Sequence, residues 1–425
     1  KLTADLQFSS NIDNSSANII DSENGTDNTI NDQTRKRQLY QTDYVLPIGK
    51  KGQFEAGYRG NFSNQLTDVI VYENGIINTN YTNKLEYIEK VNAFYTQYGL
   101  KVNKFSYLLG LRWEGTNVDV NQFTTNDFNK KKYNNFFPSA FITYEVSEES
   151  SISLNYSRRI FRPRGRMINP FSSYSSNINI FRGNPDLDPS MTDAFDFGYL
   201  NKWGKFLLST SLYVNNTTDV FIFARIESGD YVNGVPVIIS SPINIANELR
   251  AGFEFNLNYS PYKWWKLNSN FNFFSINTEG NYTYKDFNNK EVTQIFDKKA
   301  TSWSAKLNSR VTLPHKIDWQ TNMNYNGDQK TAQGKSIGIF AMNLGFSKDI
   351  MKDKATLAFN INDVFNSRKR KMETLIPGLI QSYGEMQHGQ RQFTLSFTYR
   401  FNKTKNERER EPRRESEDGG GDFQG

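Results

Sequence analysis

Apolar and polar side chains take strict turns along most of this chain, and that pattern limits its fold more than any other feature. Near the C-terminus Phe393, Leu395, Phe397, Tyr399 and Phe401 alternate with Gln392, Thr394, Ser396, Thr398 and Arg400. Successive side chains of a β-strand point to opposite faces, so such a segment has one greasy face and one wet face. Phe253, Phe255, Leu257 and Tyr259 stand in the same way against Glu254, Asn256 and Asn258. Ile317, Trp319, Met323 and Tyr325 oppose Asp318, Gln320, Asn322 and Asn324, and Tyr107, Leu109, Leu111 and Trp113 oppose Gly110, Arg112 and Glu114. The chain is therefore all-β. Alternation alone does not separate a soluble sandwich, whose greasy faces meet, from a wall bathed in lipid.

Connection lengths choose the wall. Short turns at Leu46 to Gly52, Tyr98 to Asn103, Val146 to Ser151, Asn201 to Lys205, Tyr259 to Trp264, Leu313 to Lys316 and Lys348 to Lys354 take every second position. Between them fall longer polar stretches, Asn11 to Asp32, Asn64 to Asn83, Arg162 to Asp188, Glu227 to Asn244 and Thr278 to Asp297, which are expected to be loops. Short turns at one end and long loops at the other describe an antiparallel up-and-down transmembrane barrel of an outer membrane, with short turns periplasmic and long loops outside. Composition agrees: mean hydropathy is −0.68 while 15% of residues are aromatic. That average is too polar for a spanning helix, which needs about 20 apolar residues, yet it suits strands with one face in lipid. Trp203, Tyr262, Trp264 and Trp265 beside the short turns fit an interfacial girdle.

Roughly sixteen strands fit between Leu2 and Phe401, which places both ends on the periplasmic side; a plugged transporter has about 22. The expected division is a barrel over residues 1–402, its plug absent, and a disordered periplasmic tail over 403–425, where mixed charge runs into glycine without apolar periodicity. Lys1 opens directly into a strand pattern, so the true N-terminus is expected to have been processed, cut away or left out. Cysteine is absent, which excludes disulfides and thiolate metal sites, and His315 and His388 read as polar surface. No cofactor, metal or catalytic constellation is expected: acidic pairs abound, but none is tied to a histidine, cysteine or phosphate loop. An outer-membrane protease or lipase is the rival from the enzyme class. The net charge of +6 is spread along the chain, so nucleic acid is not an expected partner.

The most individual stretch runs Arg158-Arg159-Ile160-Phe161-Arg162-Pro163, then Ile168-Asn169-Pro170-Phe171, then Gly183-Asn184-Pro185-Asp186-Leu187-Asp188-Pro189. Proline donates no ladder hydrogen bond, so this is turn-rich, fixed backbone, expected as an ordered lid at the outer mouth. Within it Arg162, Arg164, Arg166 and Arg182 offer planar donors for an anionic ligand, and Phe171 and Tyr174 offer apolar surface. Pairing of these arginines with Asp186, Asp188 and Glu114 is the competing reading. By these motifs the sequence resembles the TonB-dependent receptor superfamily, specifically the outer-membrane β-barrel family abundant in Bacteroidota. Further matches are Gln41 to Pro47, Phe54 to Tyr58, Gly110 to Glu114, Phe137-Pro138-Ser139, Asn362-Asp363-Val364-Phe365-Asn366 and Tyr399-Arg400-Phe401.

The resemblance implies the C-terminal part of a 22-strand receptor barrel that takes up a scarce ligand. It implies contact with TonB only through an N-terminal plug, and neither plug nor Ton box is seen here. Outer-membrane lipid and the barrel insertion machinery are expected partners, the latter reading Phe393, Leu395, Phe397, Tyr399 and Phe401 as an assembly signal. A partner lipoprotein or other outer-membrane subunit is also expected under a second reading, a structural or accessory barrel that does not transport. A passive porin is the third.

Overall fold

The computed structural model describes residues 1–21, 25–79, 81–170, 178–286, 288–331, 333–376, 380–387 and 389–401. Within them sixteen long strands form one continuous antiparallel wall. They are β1 (Leu2–Asp21), β2 (Gly25–Ile48), β3 (Gly52–Glu73), β4 (Asn83–Val102), β5 (Phe105–Gln122), β6 (Asp127–Glu145), β7 (Ser150–Phe161) and β8 (Ser190–Trp203). The second half comprises β9 (Phe206–Val232), β10 (Val235–Tyr262), β11 (Trp265–Lys285), β12 (Lys298–Leu313), β13 (Ile317–Asn326), β14 (Ile339–Ile350), β15 (Ala355–Asn362) and β16 (Gln392–Tyr399). Each pairs with the next in sequence order. Among the described residues β1 and β16 are not paired with each other, so the wall is an open arc. Among the described residues no helix is long and apolar enough to cross a membrane.

Hairpin register fixes the faces, because residues paired across neighbouring strands share one. Asp43, Gly57, Tyr95, Arg112 and Phe137 form one such row across β2 to β6. This is the polar, inner face: Tyr95 donates to Asp43, and the Arg112 guanidinium stacks 5.6 Å from the Tyr95 ring. Gly57 is required there, since a Cβ would meet the Tyr95 ring at 2.5 Å and the Thr42 carbonyl at 2.6 Å. The outer face carries aromatic rows such as Phe8, Tyr40 and Phe62, and Tyr58, Phe94 and Trp113, with ring centroids 5.1–6.0 Å apart. With no apolar layer over them, Leu109, Phe195, Leu212, Phe273 and Leu395 remain 46–70% exposed, as lipid-facing side chains would be in the absence of lipid.

The height of the apolar band can be read from a reversal of phase. On β5 the apolar positions near the short turn are outward, Phe105, Tyr107, Leu109, Leu111 and Trp113, whereas beyond Glu114 the apolar residues Val118 and Val120 face inward and are buried. β4 repeats this, with Phe94, Tyr98 and Val102 outward and Leu85, Tyr87 and Val91 inward. From Phe105 to Trp113 is eight residue steps, about 21 Å of height at roughly 3.4 Å per residue and a 40° tilt, close to the ~25 Å band of an outer-membrane barrel. Aromatics gather at its short-turn edge: Tyr262 stacks on Trp264 at 5.0 Å, Phe206 meets Tyr259 at 4.0 Å, and Phe105 meets Tyr144 at 4.7 Å.

The expected long loops are largely not loops. β1 and β2 pair without interruption up to Asp21 and Gly25, and β9 and β10 run on to Val232 and Val235, where Asn233 and Gly234 turn the chain with φ of 49° and 77°. Asn74 and Gly75 do the same above β3, with φ of 50° and 80°. Both are tight Asn-Gly hairpin turns. Ladder hydrogen bonds join backbones and ignore side-chain polarity, so Asn-, Asp- and Thr-rich segments above the band continue as strand once they no longer face lipid. The crest is completed by a small four-stranded sheet from Gln329–Thr331, Gly334–Ile337, Arg370–Ile376 and Ile380–Met386. The 402–425 tail lies outside the described residues.

Candidate functional site

Where the inner wall turns apolar, something must cover it, and the Pro-rich segment does so. Ile168 packs on Leu85, Tyr87, Val118 and Val120 with Tyr133 beside them, all on the inner face. The segment leaves β7 at Phe161, forms a single 3₁₀ turn at Gly165–Met167, and returns to β8 at Ser190. Its two limbs are cross-tied: Gly183 N–H donates to the Asn169 carbonyl (2.9 Å) and Asn184 N–H to that of Met167 (2.7 Å). Asn179–Phe181 adds a short parallel strand against Ile238, Ile239 and Ser240 of β10.

The motif residues serve as anchors. Asn83 Nδ2 donates to Asn169 Oδ1 (3.1 Å), and Asn184 Nδ2 to the carbonyl of buried Pro242 (3.2 Å). Asn184 Oδ1 accepts from the Asp186 backbone N–H (2.9 Å), which closes the turn at Pro185. Pro163, Gly183 and Leu187 are buried, and Pro170 and Pro189 are half-buried. Lys131 donates to the carbonyls of Asp186 and Leu187 and to Asp188 Oδ1 at 2.7–3.1 Å. Asn244 Oδ1 accepts the Asp188 N–H (2.8 Å). Asp186 and Asp188 are thus engaged by β6 and β10. Lys131 and Asn244 carry no motif of their own; only the fold brings them here.

Arg162 is the hinge of this arrangement. Its Nη2 lies 2.5 Å from Glu114 Oε2 and 3.2 Å from Thr116 Oγ1, and its Nε donates to the Tyr133 hydroxyl (3.2 Å) and stands 3.8 Å from Glu89 Oε1. Glu114 is shared with Arg112, whose Nη2 lies 2.6 Å from its other oxygen. Side-chain exposure of 17% for Arg162 and 9% for Glu114 makes this a buried ion cluster rather than a surface pair. Arg162 therefore pins the segment to the wall. Arg159 is exposed on β7, donating to Ser157 Oγ (3.2 Å). Arg164 and Arg182 are also exposed. Arg166 belongs to the 3₁₀ turn, while Phe171 and Tyr174 lie outside the described residues.

Two further groups escape sequence reading. Gln333, nearly buried, donates to Gln294 Oε1 (3.3 Å) and accepts the Arg225 backbone N–H (3.3 Å), tying three crest hairpins together. Asn258, Asn268, Asn308 and Asn322 stand in one transverse row on β10 to β13 and pass side-chain hydrogen bonds from strand to strand. With Asn343 they line an inner-wall hollow of about 510 Å³.

Asn362-Asp363-Val364-Phe365-Asn366 forms a compact knot above β15. Buried Asp363 accepts the Ser367 and Arg368 N–H groups, each at 3.0 Å, and Asn366 Oδ1 accepts from Gln387 and the Arg391 N–H. Burial raises the Asp363 pKa, but the backbone donors Arg368 and Ser367, with the Ser367 hydroxyl and the Arg368 charge, outweigh it and hold the carboxyl below the usual range. Phe393, Leu395, Phe397 and Tyr399 share the outer face of β16, 40–70% exposed, with Phe401 just beyond. Among the described residues no group of His, Cys, Asp and Glu is placed to hold a metal ion. His315 lies exposed in a short turn and His388 falls outside the described residues.

A model of the "Outer membrane protein beta-barrel family" matches residues 1–399. No curated protein sequence matches the chain significantly. Among solved structures, the siderophore receptor PiuA from Acinetobacter baumannii superposes with a TM-score of 0.64 at 13% identity, over 94% of this chain and 62% of that one. The ferric-catecholate import receptor Fiu from E. coli K12 gives 0.61 at 12% identity, over 94% and 62%. The ferric yersiniabactin uptake receptor FyuA from Yersinia pestis gives 0.59 at 11% identity, over 93% and 57%. At such identities the likeness is one of fold. The chain spans less than two thirds of the length of these structures.

Proposed function

The chain belongs to the outer membrane protein beta-barrel family, and from that premise we propose that it is the larger part of a TonB-dependent receptor barrel that imports a scarce ligand. The observation that carries this reading is the superposition of 93–94% of the chain on receptors for siderophore import and uptake, of which it covers 57–62%. Under it, the strands and plug that complete the barrel lie elsewhere in the native assembly, TonB acts through that plug, and a 22-strand total is reached around the open arc. The short turns are periplasmic and the crest extracellular. Phe393, Leu395, Phe397, Tyr399 and Phe401 face lipid and are read by the insertion machinery. With Arg162 committed to Glu114, ligand selection falls to the exposed arginines of the segment, Arg164 and Arg182, together with Arg166, Phe171 and Tyr174.

An accessory barrel working with a lipoprotein or another outer-membrane subunit is the second reading; the uncovered polar hollow of the inner wall is equally open to a structural partner. Depletion of metals and small molecules from the medium by the producing cell, its deletion strain and a TonB-deletion strain separates the two. A ligand removed by the first strain alone supports import. Identical depletion in all three contradicts it.

A further inference from the structure

At the crest, three separate pieces of chain meet around a cavity of about 490 Å³. Met167 and Phe181 come from the Pro-rich segment, Phe223 and Arg225 from β9, and Arg370, Met372, Glu385 and Met386 from the small sheet. The volume lies within the ~300–1,000 Å³ usual for small-molecule sites. Phe181 and Phe223 stand 5.9 Å apart and form one wall. Three of the chain's seven methionines line this one space, and thioether side chains adapt to irregular apolar shapes.

Charge inside the cavity is unbalanced. Glu385 is neutralised by Lys369, whose Nζ lies 2.7 Å from its carboxylate. Arg225 is half-buried, and among the described residues no carboxylate meets its guanidinium; its backbone is held by Gln333 and Gln294 while its side chain is left to the cavity. A desolvated guanidinium without an anion is costly, and its planar fork suits carboxylate or phosphate oxygens. The same charge argues against a soft metal ion on the thioethers, because Arg225 repels a cation.

We propose that this cavity is a ligand site of the receptor beside the arginines of the Pro-rich segment and takes a small amphipathic anion, with Arg225 gripping the anionic group and Phe181, Phe223 and the methionines holding an apolar or aromatic body. It deepens the import reading by naming the ligand class, and rests on that reading only in placing the crest outside the cell. The test is titration calorimetry on the full-length protein in detergent with 2-naphthoate and its uncharged counterpart 2-naphthamide. Naphthoate is expected to bind at least tenfold more tightly than naphthamide. R225Q should remove that preference, R225K should keep part of it, and F223A should weaken both compounds alike. Each variant is first checked for native heat-modifiable mobility, and R225K and F223A carry the test if R225Q does not fold. Equal binding of the two compounds, no binding of naphthoate, or an unchanged preference in R225Q would overturn the proposal. Because the assay measures binding alone, naphthoate binding without TonB-dependent uptake would defeat only the import reading, and uptake without naphthoate binding would defeat only this one.

Discussion

Replacing Leu109 by arginine places a charge where the lipid reading tolerates it least. Leu109 is the middle of the five outward positions from Phe105 to Trp113 and is 53% exposed on the outer face. Four residue steps separate it from each end, about 10 Å of height on either side at roughly 3.4 Å per step and a 40° tilt, so it lies near mid-bilayer. An arginine there costs about 2–4 kcal/mol. Asn117 faces the same way on the same strand but above the band, paired between Lys90 and Lys132. Asn117→Arg is expected to cost less than about 0.5 kcal/mol, the usual size of a surface change. The assay is reversible denaturant unfolding in lipid vesicles, with heat-modifiable electrophoretic mobility as the check on folding. Equal costs for the two variants, or a larger cost at Asn117, would refute the assignment of the outer face to lipid.

Three other outcomes follow from particular contacts. Arg162→Met leaves Glu89 without its cation and Glu114 with Arg112 alone, so it should destabilise the fold by about 3 kcal/mol and open the Pro-rich segment to protease; wild-type resistance would contradict its anchoring role. Because the folded pKa of Asp363 is depressed, its contribution is full above the unfolded carboxylate value and lost as pH falls through the folded one; the knot at 363–369 should loosen in acid, and Asp363→Asn should show that loosening already at pH 7 by hydrogen exchange. Arg164→Gln combined with Arg166→Gln should weaken uptake of an anionic ligand while leaving the amount of folded barrel unchanged, and undiminished uptake would leave these arginines without a selective role.

Much of the wall was legible because lipid contact writes itself into the sequence as period two. The outward rows of Leu109 and Trp113, of Phe253 and Phe255, and of Phe393 to Phe401 were visible in the alternation, as were sixteen strands and alternating short turns. The crest was not. Residues 11–32 and 227–244 read as loops because polarity on both faces hides a strand whose bonds are all backbone, and only the Asn233-Gly234 turn marked the hairpin. The reversal from Trp113 outward to Val118 inward was in the sequence too, but it has meaning only once a covering segment is known. Of the arginines, Arg162 found Glu114, one of the carboxylates that charge pairing had offered it, while the Asp188 carboxylate went to Lys131 and that of Asp186 to Asn129. Arg225 sits in an unremarked run between Ala224 and Ile226, and no local spacing announces that three distant segments close around it.

Orientation in the membrane is the claim on which the import reading stands, and single-cysteine labelling tests it directly. The chain has no native cysteine, so Asn233→Cys at the crest and Gly49→Cys in a short turn each give one reactive position. On intact cells an impermeant maleimide should label position 233 and spare position 49, and both should react once the outer membrane is breached. Labelling of position 49 with position 233 protected would turn the wall upside down and remove the crest cavity from the outside of the cell.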